Sequence, residues 1–259
     1  MRDSAFSPEV SIIIPAYNEA LRIRVALDGV LGWLQTHPRR AEVIVVNDGS
    51  QDRTRDIVLE YAARGHSVRL MENAHNCGKG CSVRNGILDA QGEVVLFTDA
   101  DLSAPMEEAE LLIGAIEAGA DCAIGSRWLD RSRQTIHQPL YRQLFGRMFN
   151  GVTRVVMGLP FADTQCGFKA FRREAAHQIF SRQTIMRWGF DPEILFIALR
   201  MGYRVQEVPV TWGHDERSRM SYLRDGLTML EEIARVRWNS LTGAYNIPGA
   251  RNAVAGESK

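Results

Sequence analysis

The chain has 259 residues, 45% of them hydrophobic and 24% charged, enough apolar content for one large domain or two small ones with a packed core. That composition excludes a disordered segment, a collagen-like repeat and a disulfide-stapled miniprotein. Lys plus Arg number 31 and Asp plus Glu number 31, so the formal net charge is zero and a globally basic nucleic-acid binder is disfavoured.

Glu9–Pro15 is an apolar, β-branched run ended by proline, and predicts a first strand. Helical spacing follows over Asn18–His37, with Leu21, Val25, Leu27, Val30, Leu31 and Leu34. Ala41–Val46 predicts a second strand, Asp52–Ala63 a helix, Ser67–Met71 a third strand and Lys79–Ala90 a helix. Glu93–Thr98 predicts a fourth strand, Pro105–Ala118 a helix with proline near its first turn, and Asp121–Ser126 a fifth strand. Strand and helix thus alternate about every 25 to 30 residues, the rhythm of a parallel sheet covered on both faces. The second half is less regular. Tyr141–Met157 and Asp191–Met201 read as helices, Gln165–Phe171 and Arg204–Trp212 as strands, and Tyr222–Leu241 as a last helix. From about residue 246 the chain is rich in Pro, Gly and Ala and reads as a mobile tail.

Cys77, Cys81, Cys122 and Cys166 form no C-x-x-C pair. Cys77 and Cys81 are spaced to share a helix face, but no histidine stands nearby at ligand spacing, so free cytosolic thiols are expected rather than zinc. No secretory leader is evident and no stretch approaches 18 uncharged apolar residues. The expected location is therefore cytoplasmic, with any membrane role peripheral.

Ligands on parallel sheets bind beyond the carboxyl ends of the strands. Pro15-Ala16-Tyr17-Asn18-Glu19 follows the first strand, Asn47-Asp48-Gly49-Ser50 the second, and Asp99-Ala100-Asp101 the fourth. Taken singly, Asn18, Asp48 and Ser50 suit helix caps. Asp99 and Asp101, two residues apart with a small residue between, can both reach one hard cation, and Mg²⁺ or Mn²⁺ is held by one or two carboxylates plus phosphate oxygens. Asn76-Cys77-Gly78-Lys79-Gly80 lacks the spacing of a P-loop or of a dinucleotide site, yet Lys79 can place an ammonium beside a phosphate.

The runs SIIIPAYNE, VIVVNDGSQDRT, NCGKGCSVRNG and LFTDADLSAP resemble the nucleotide-sugar half of family-two glycosyltransferases of the GT-A fold. GSR (125–127), DTQCGFKAF (163–171), RWGFDPEI (187–194) and EVPVTW (207–212) extend the resemblance to dolichyl-phosphate glucosyltransferases, with polyprenyl-phosphate mannosyltransferases close behind. The resemblance covers roughly residues 9 to 240. It implies an α/β fold with a mixed, mostly parallel, Rossmann-like sheet flanked by helices. It also implies a single catalytic domain over 1–242, with a nucleotide-sugar half (9–130), an acceptor half (131–242) and a flexible tail (243–259).

By that resemblance Pro15, Tyr17, Glu19 and Asp48 frame the base and ribose. Lys79, Asp99, Ala100 and Asp101 meet the ribose and diphosphate, and Asp99 and Asp101 hold a divalent cation, Mg²⁺ or Mn²⁺. Many relatives carry a further metal-contacting Gln two residues after the second aspartate; here it is Ser103. The implied reaction is an inverting, metal-dependent hexosyl transfer, with UDP-glucose favoured over GDP-mannose as donor and a polyprenyl or dolichyl phosphate as acceptor. Asp101, Asp191 and Arg127 are the candidate catalytic residues. Arg127, Arg142, Ser218 and Arg219 are the candidate acceptor-phosphate contacts, the last two matching a G-S-K loop of the family. A soluble hydroxyl acceptor would need a general base, for which Asp191 is the candidate. A third alternative is a nucleotide-sugar-binding subunit without catalysis.

Residues 131–162 hold five arginines (Arg131, Arg133, Arg142, Arg147 and Arg154) and no acidic residue. With Leu144, Phe145, Met148, Phe149, Val152, Val155 and Val156 at helical spacing, this segment reads either as a basic amphipathic helix for an anionic membrane surface or as a core helix with solvated arginines.

Overall fold

The structure, a computed structural model, describes residues 7–136, 140–213 and 222–246. Its main sheet has seven strands: β1 (Val10–Ala16), β2 (Ala41–Asn47), β3 (Val68–Glu72), β4 (Val94–Phe97), β5 (Cys122–Ser126), β7 (Lys169–Arg172) and β8 (Val205–Pro209). Their order across the sheet is β3-β2-β1-β4-β7-β5-β8. All neighbours pair parallel except β7, which runs against both β4 and β5. A second, two-stranded ribbon pairs β6 (Gln134–Ile136) with β9 (Trp212–Gly213).

Helices cover both faces, which is why the strands read as unbroken apolar runs. On one face Ile12, Ile14, Val43, Val45 and Leu96 pack against α1 (Ile23–Thr36), α2 (Thr54–Ala63) and α4 (Ala109–Glu117). On the other, Ile13, Ile44, Val46, Val95 and Phe97 meet α3 (Lys79–Asp89), α6 (Arg173–Ser181), α7 (Phe190–Arg200) and α8 (Tyr222–Leu241). Burying each such aliphatic side chain contributes about 1.5–3 kcal/mol. The remaining helix, α5 (Leu140–Met157), joins the second core through Phe149 and Met157. Among the described residues no helix is long and apolar enough to cross a membrane.

Four details depart from the sequence reading. The first helix begins at Ile23, not Asn18, because Asn18 adopts a left-handed φ of 54° and the loop is held from outside. Ser50 Oγ, Thr54 Oγ1 and Asp52 Oδ2 accept the backbone N–H groups of Asn18, Glu19 and Ala20. The strand expected over Gln165–Phe171 is confined to Lys169–Arg172. Arg173–Ser181, unassigned in sequence, is a helix that starts directly from β7. Finally, Cys77 and Cys81 are not free thiols: they are disulfide-bonded, because Cys81 lies in the first turn of α3 and Cys77 just before it, on the same side. Cys122 and Cys166 are free and buried.

Candidate active site

The strand order makes β2, β1 and β4 immediate neighbours, so the three carboxylate-bearing ends lie side by side on one edge of the sheet. Because β7 is reversed, its amino end lies at that same edge. The segment before β7, Asp163–Phe168, therefore joins the loops beyond β4 and β5.

Asp99 is the centre of this edge. Its Oδ1 lies 2.5 Å from the Lys79 ammonium, and Lys79 also faces the rings of Trp188 at 5.8 Å and Phe190 at 6.0 Å. Burial works against the charge of Lys79, but Asp99, Asp191 and Asp101 together outweigh it and raise its pKa. On the other side of Asp99, the carboxylate lies so close to Gly167 that a Cβ there would overlap it and make the aspartate shift. The side chains of Asp99 and Asp101 remain 35% and 21% exposed. Asp101 Oδ1 accepts the N–H of Ser103 at 3.0 Å, and Oδ2 lies 3.9 Å from Arg22. Burial, and then the negative charge of Asp99, push the Asp101 carboxyl above its ordinary range. Two partly exposed, mutually repelling hard-oxygen groups fit a divalent cation. Among the described residues no third His, Cys, Asp or Glu joins them.

The residues expected to frame the nucleotide surround this centre. Pro15 is the last residue but one of β1, Tyr17 is exposed, and Glu19 forms a two-point pair with Arg22. Ala100 is buried between the two aspartates. Asp48 is buried and bound to the chain itself: it accepts Asn73 Nδ2, Cys77 N–H and Gly78 N–H at 2.8, 3.0 and 2.9 Å. Asp48 thus fixes the turn that delivers Lys79, where Gly78 takes a φ of 104°.

A second cluster lies at the end of β5. Arg127 donates Nε–H and Nη2–H to Asp163 at 2.6 and 2.9 Å, and its guanidinium lies 5.5 Å from the Trp212 ring. Burial alone would raise the Asp163 carboxyl, but Arg127 holds it below the ordinary range; burial likewise opposes the Arg127 charge and Asp163 sustains it above its usual pKa. Glu207 accepts the N–H groups of Ala162 and Asp163, and Asn150 of α5 accepts from Thr164. Asp191 opens α7, and its carboxylate lies 2.5 Å from the ammonium of Lys169, which also donates to the Cys166 carbonyl. Lys169 is fully buried and Asp191 is 4% exposed. Glu193, two residues on, is occupied by Thr184, Ile185 and Tyr245.

Lys169, Gly167 and Trp188 were not singled out by residue-type reasoning. Their motifs stood out, but the partners they meet are distant in sequence. Arg142 lies in α5, but its side chain falls outside the described residues, as do Ser218 and Arg219. The outward face of α5 is better defined further along: Arg147, Met148, Val152, Arg154, Val155 and Val156 are exposed, while Asn150, Thr153 and Met157 point inward.

Three comparisons bear on the family and the fold. Residues 11–180 match the profile of Glycosyl transferase family 2. A dolichyl-phosphate beta-glucosyltransferase of Trichomonas vaginalis is 37% identical over 222 residues, 82% of this chain and 68% of that protein. The dolichyl-phosphate beta-glucosyltransferase of Homo sapiens is 32% identical over 260 residues, 94% of this chain and 79% of that protein. Among solved structures, glucosyl-3-phosphoglycerate synthase of Mycobacterium tuberculosis in complex with UDP superposes with a TM-score of 0.64 at 19% identity, covering 94% of this chain and 82% of that one. Mannosyl-3-phosphoglycerate synthase of Rubrobacter xylanophilus gives a TM-score of 0.66 at 16% identity, covering 96% and 79%. The shared architecture is the GT-A fold, and with more than half its length matched to the family profile this chain belongs to glycosyl transferase family 2.

Proposed function

We propose that the protein transfers a glucosyl residue, with inversion, from UDP-glucose to a polyprenyl phosphate at a membrane surface. One observation carries the choice of acceptor. The carboxylates at the position of a base for a hydroxyl are both engaged: Asp191 is buried and bound to Lys169, and Glu193 is buried and bound by Thr184, Ile185 and Tyr245. A phosphate acceptor does not need that base: with a second pKa of about 6 it is largely a dianion at neutral pH and already a nucleophile. The names of the curated relatives, which act on dolichyl phosphate, support the same choice.

What such an acceptor needs is relief from repulsion by the donor diphosphate. Two unit charges about 4 Å apart interact with about 4 kcal/mol at an effective dielectric of about 20. Arg127 offers a planar guanidinium at the acceptor side, oriented by Asp163 and Trp212. Lys79 offers an ammonium at the donor side. Asp99 and Asp101 would hold a divalent cation, which supplies charge stabilisation to the departing nucleoside diphosphate. Displacement at the anomeric carbon then proceeds in line, from a phosphate oxygen on one face to the leaving diphosphate on the other.

Purified protein given labelled UDP-glucose or GDP-mannose, polyprenyl phosphate and Mn²⁺ or Mg²⁺ should place label from UDP-glucose in the organic phase, and EDTA should abolish it. Label transferred only to a soluble saccharide would overturn the acceptor assignment. We assign the outward face of α5 to the bilayer, since its apolar residues point away from the core and Arg147 and Arg154 accompany them. Each basic residue near an anionic leaflet contributes about 1 kcal/mol. Reversing both to Glu should therefore lower partitioning onto anionic liposomes at least about thirtyfold, read by sedimentation. Unchanged sedimentation would mean that this face does not touch lipid.

A further inference from the structure

We propose that Lys79 is a displaceable counter-ion: it closes Asp99 to free divalent cations and releases it when the donor's diphosphate arrives. This rests on the metal-assisted reading above and adds an order of events to it. The two aspartates are unequal in the structure. Asp101 meets Arg22 only at 3.9 Å, and its other oxygen accepts a backbone N–H. Asp99 has a cation in direct contact, with the Lys79 ammonium 2.5 Å from Oδ1.

Asp99 meets that ammonium with Oδ1 while its Oδ2 lies against Gly167. Gly167 abuts the carboxylate from behind, close enough that even a methyl group there would overlap it. A cation coordinated to Asp99 must therefore take the place of Lys79 rather than share the carboxylate with it, because two positive groups within about 4 Å repel strongly in a partly buried site. With Lys79 in place, a free ion is offered one carboxylate, a poor site for Mg²⁺ or Mn²⁺. A nucleoside diphosphate changes both sides of this balance. Its oxygens add ligands for the ion and give the ammonium a new anionic partner.

The structure also provides for the movement. Lys79 comes directly after a left-handed glycine at the start of α3, and its backbone is anchored through the bonds of Asp48 to Cys77 and Gly78, so the side chain can swing while its root stays fixed. A lysine stem has four flexible carbons and carries a point charge that bonds in any direction. The rings of Trp188 and Phe190 lie 5.8 and 6.0 Å from the ammonium, and Asp191 adds negative charge to its surroundings.

The test is Mn²⁺ binding to the full chain, with and without UDP, read by electron paramagnetic resonance of the free ion. Wild type should bind Mn²⁺ weakly alone and at least about tenfold more tightly with UDP. Lys79→Gln should bind Mn²⁺ alone about tenfold more tightly than wild type and show a correspondingly smaller effect of UDP. Lys79→Arg, which keeps the charge, should behave as wild type. If Lys79→Gln binds Mn²⁺ alone no better than wild type, the counter-ion role is overturned while the metal-assisted reaction stands. If wild type binds no Mn²⁺ even with UDP, the reading of the site and this inference fall together. Should the variant not fold, crystals of wild type soaked with Mn²⁺ and UDP decide the matter: Lys79 moved off Asp99 supports the proposal, and Lys79 still in contact overturns it.

Discussion

Asp101→Asn should lower turnover about 10²- to 10³-fold, because the lost carboxylate charge is worth several kcal/mol to a cation that stabilises a leaving diphosphate. The substitution isolates that charge cleanly. Asparagine keeps an Oδ1 that accepts the Ser103 N–H, so the loop after β4 retains its internal bond. Thermal stability should therefore stay close to wild type while initial rates with UDP-glucose fall, and added Mn²⁺ should restore only part of the loss. Rates near wild type would remove Asp101 from the reaction.

Lys169→Met is expected to destabilise the fold by about 3 kcal/mol, the lower end of what removing one partner of a buried ion pair costs. Methionine fills a similar volume among Phe97 and its neighbours but leaves Asp191 without its contact cation. Lys79 and Arg127 also feel the charge of Asp191, which keeps the penalty from reaching the upper end. In a chain of this size the melting temperature should fall by about 6–12 °C. Adding Asp191→Asn to the same chain should recover most of that loss, since removing both partners leaves no bare charge. A single variant that melts with wild type would mean that Asp191 is hydrated, and would reopen its candidacy as a base for a hydroxyl acceptor.

Strands β1, β2, β4 and β5 were legible because each is largely buried on both faces, so apolar residues run with little alternation, whereas β3 at the edge of the sheet is only half-buried. Asp99 and Asp101 could be picked out for the same reason: the end of a buried strand places the next few residues at the edge of the sheet. Where the sequence and the structure differ, the cause is a contact across the chain. Asn18 has the character of a helix cap, but Ser50, Asp52 and Thr54 hold its loop from another segment. Arg173–Ser181 does place Ala175, Ala176, Ile179 and Phe180 at helical spacing, but it follows β7 with no turn residue between, so the strand before it masks its start. Lys169 sits in a strand pattern as any lysine might, and only the register that pairs it with Phe97 and Ile124 buries it, within reach of an aspartate at the start of α7. Cys77 and Cys81 do share one side of a helix start, as their spacing implies, but the inference from compartment to free thiols has no support in that geometry.

The reversed strand β7 also constrains how the protein can be made. Val94 of β4 pairs with Arg172, and Cys122 of β5 pairs with Phe171 and Val205, so both strands wait for segments synthesised much later. While the ribosome is still translating the residues beyond β5, the nascent chain presents an open β4 edge and a β5 strand with no partner. Such edges template wrong pairings. Fragments ending near residue 130 should accordingly aggregate, and grafting a new acceptor specificity onto this enzyme calls for exchange of individual loops, with the strands of both halves left together.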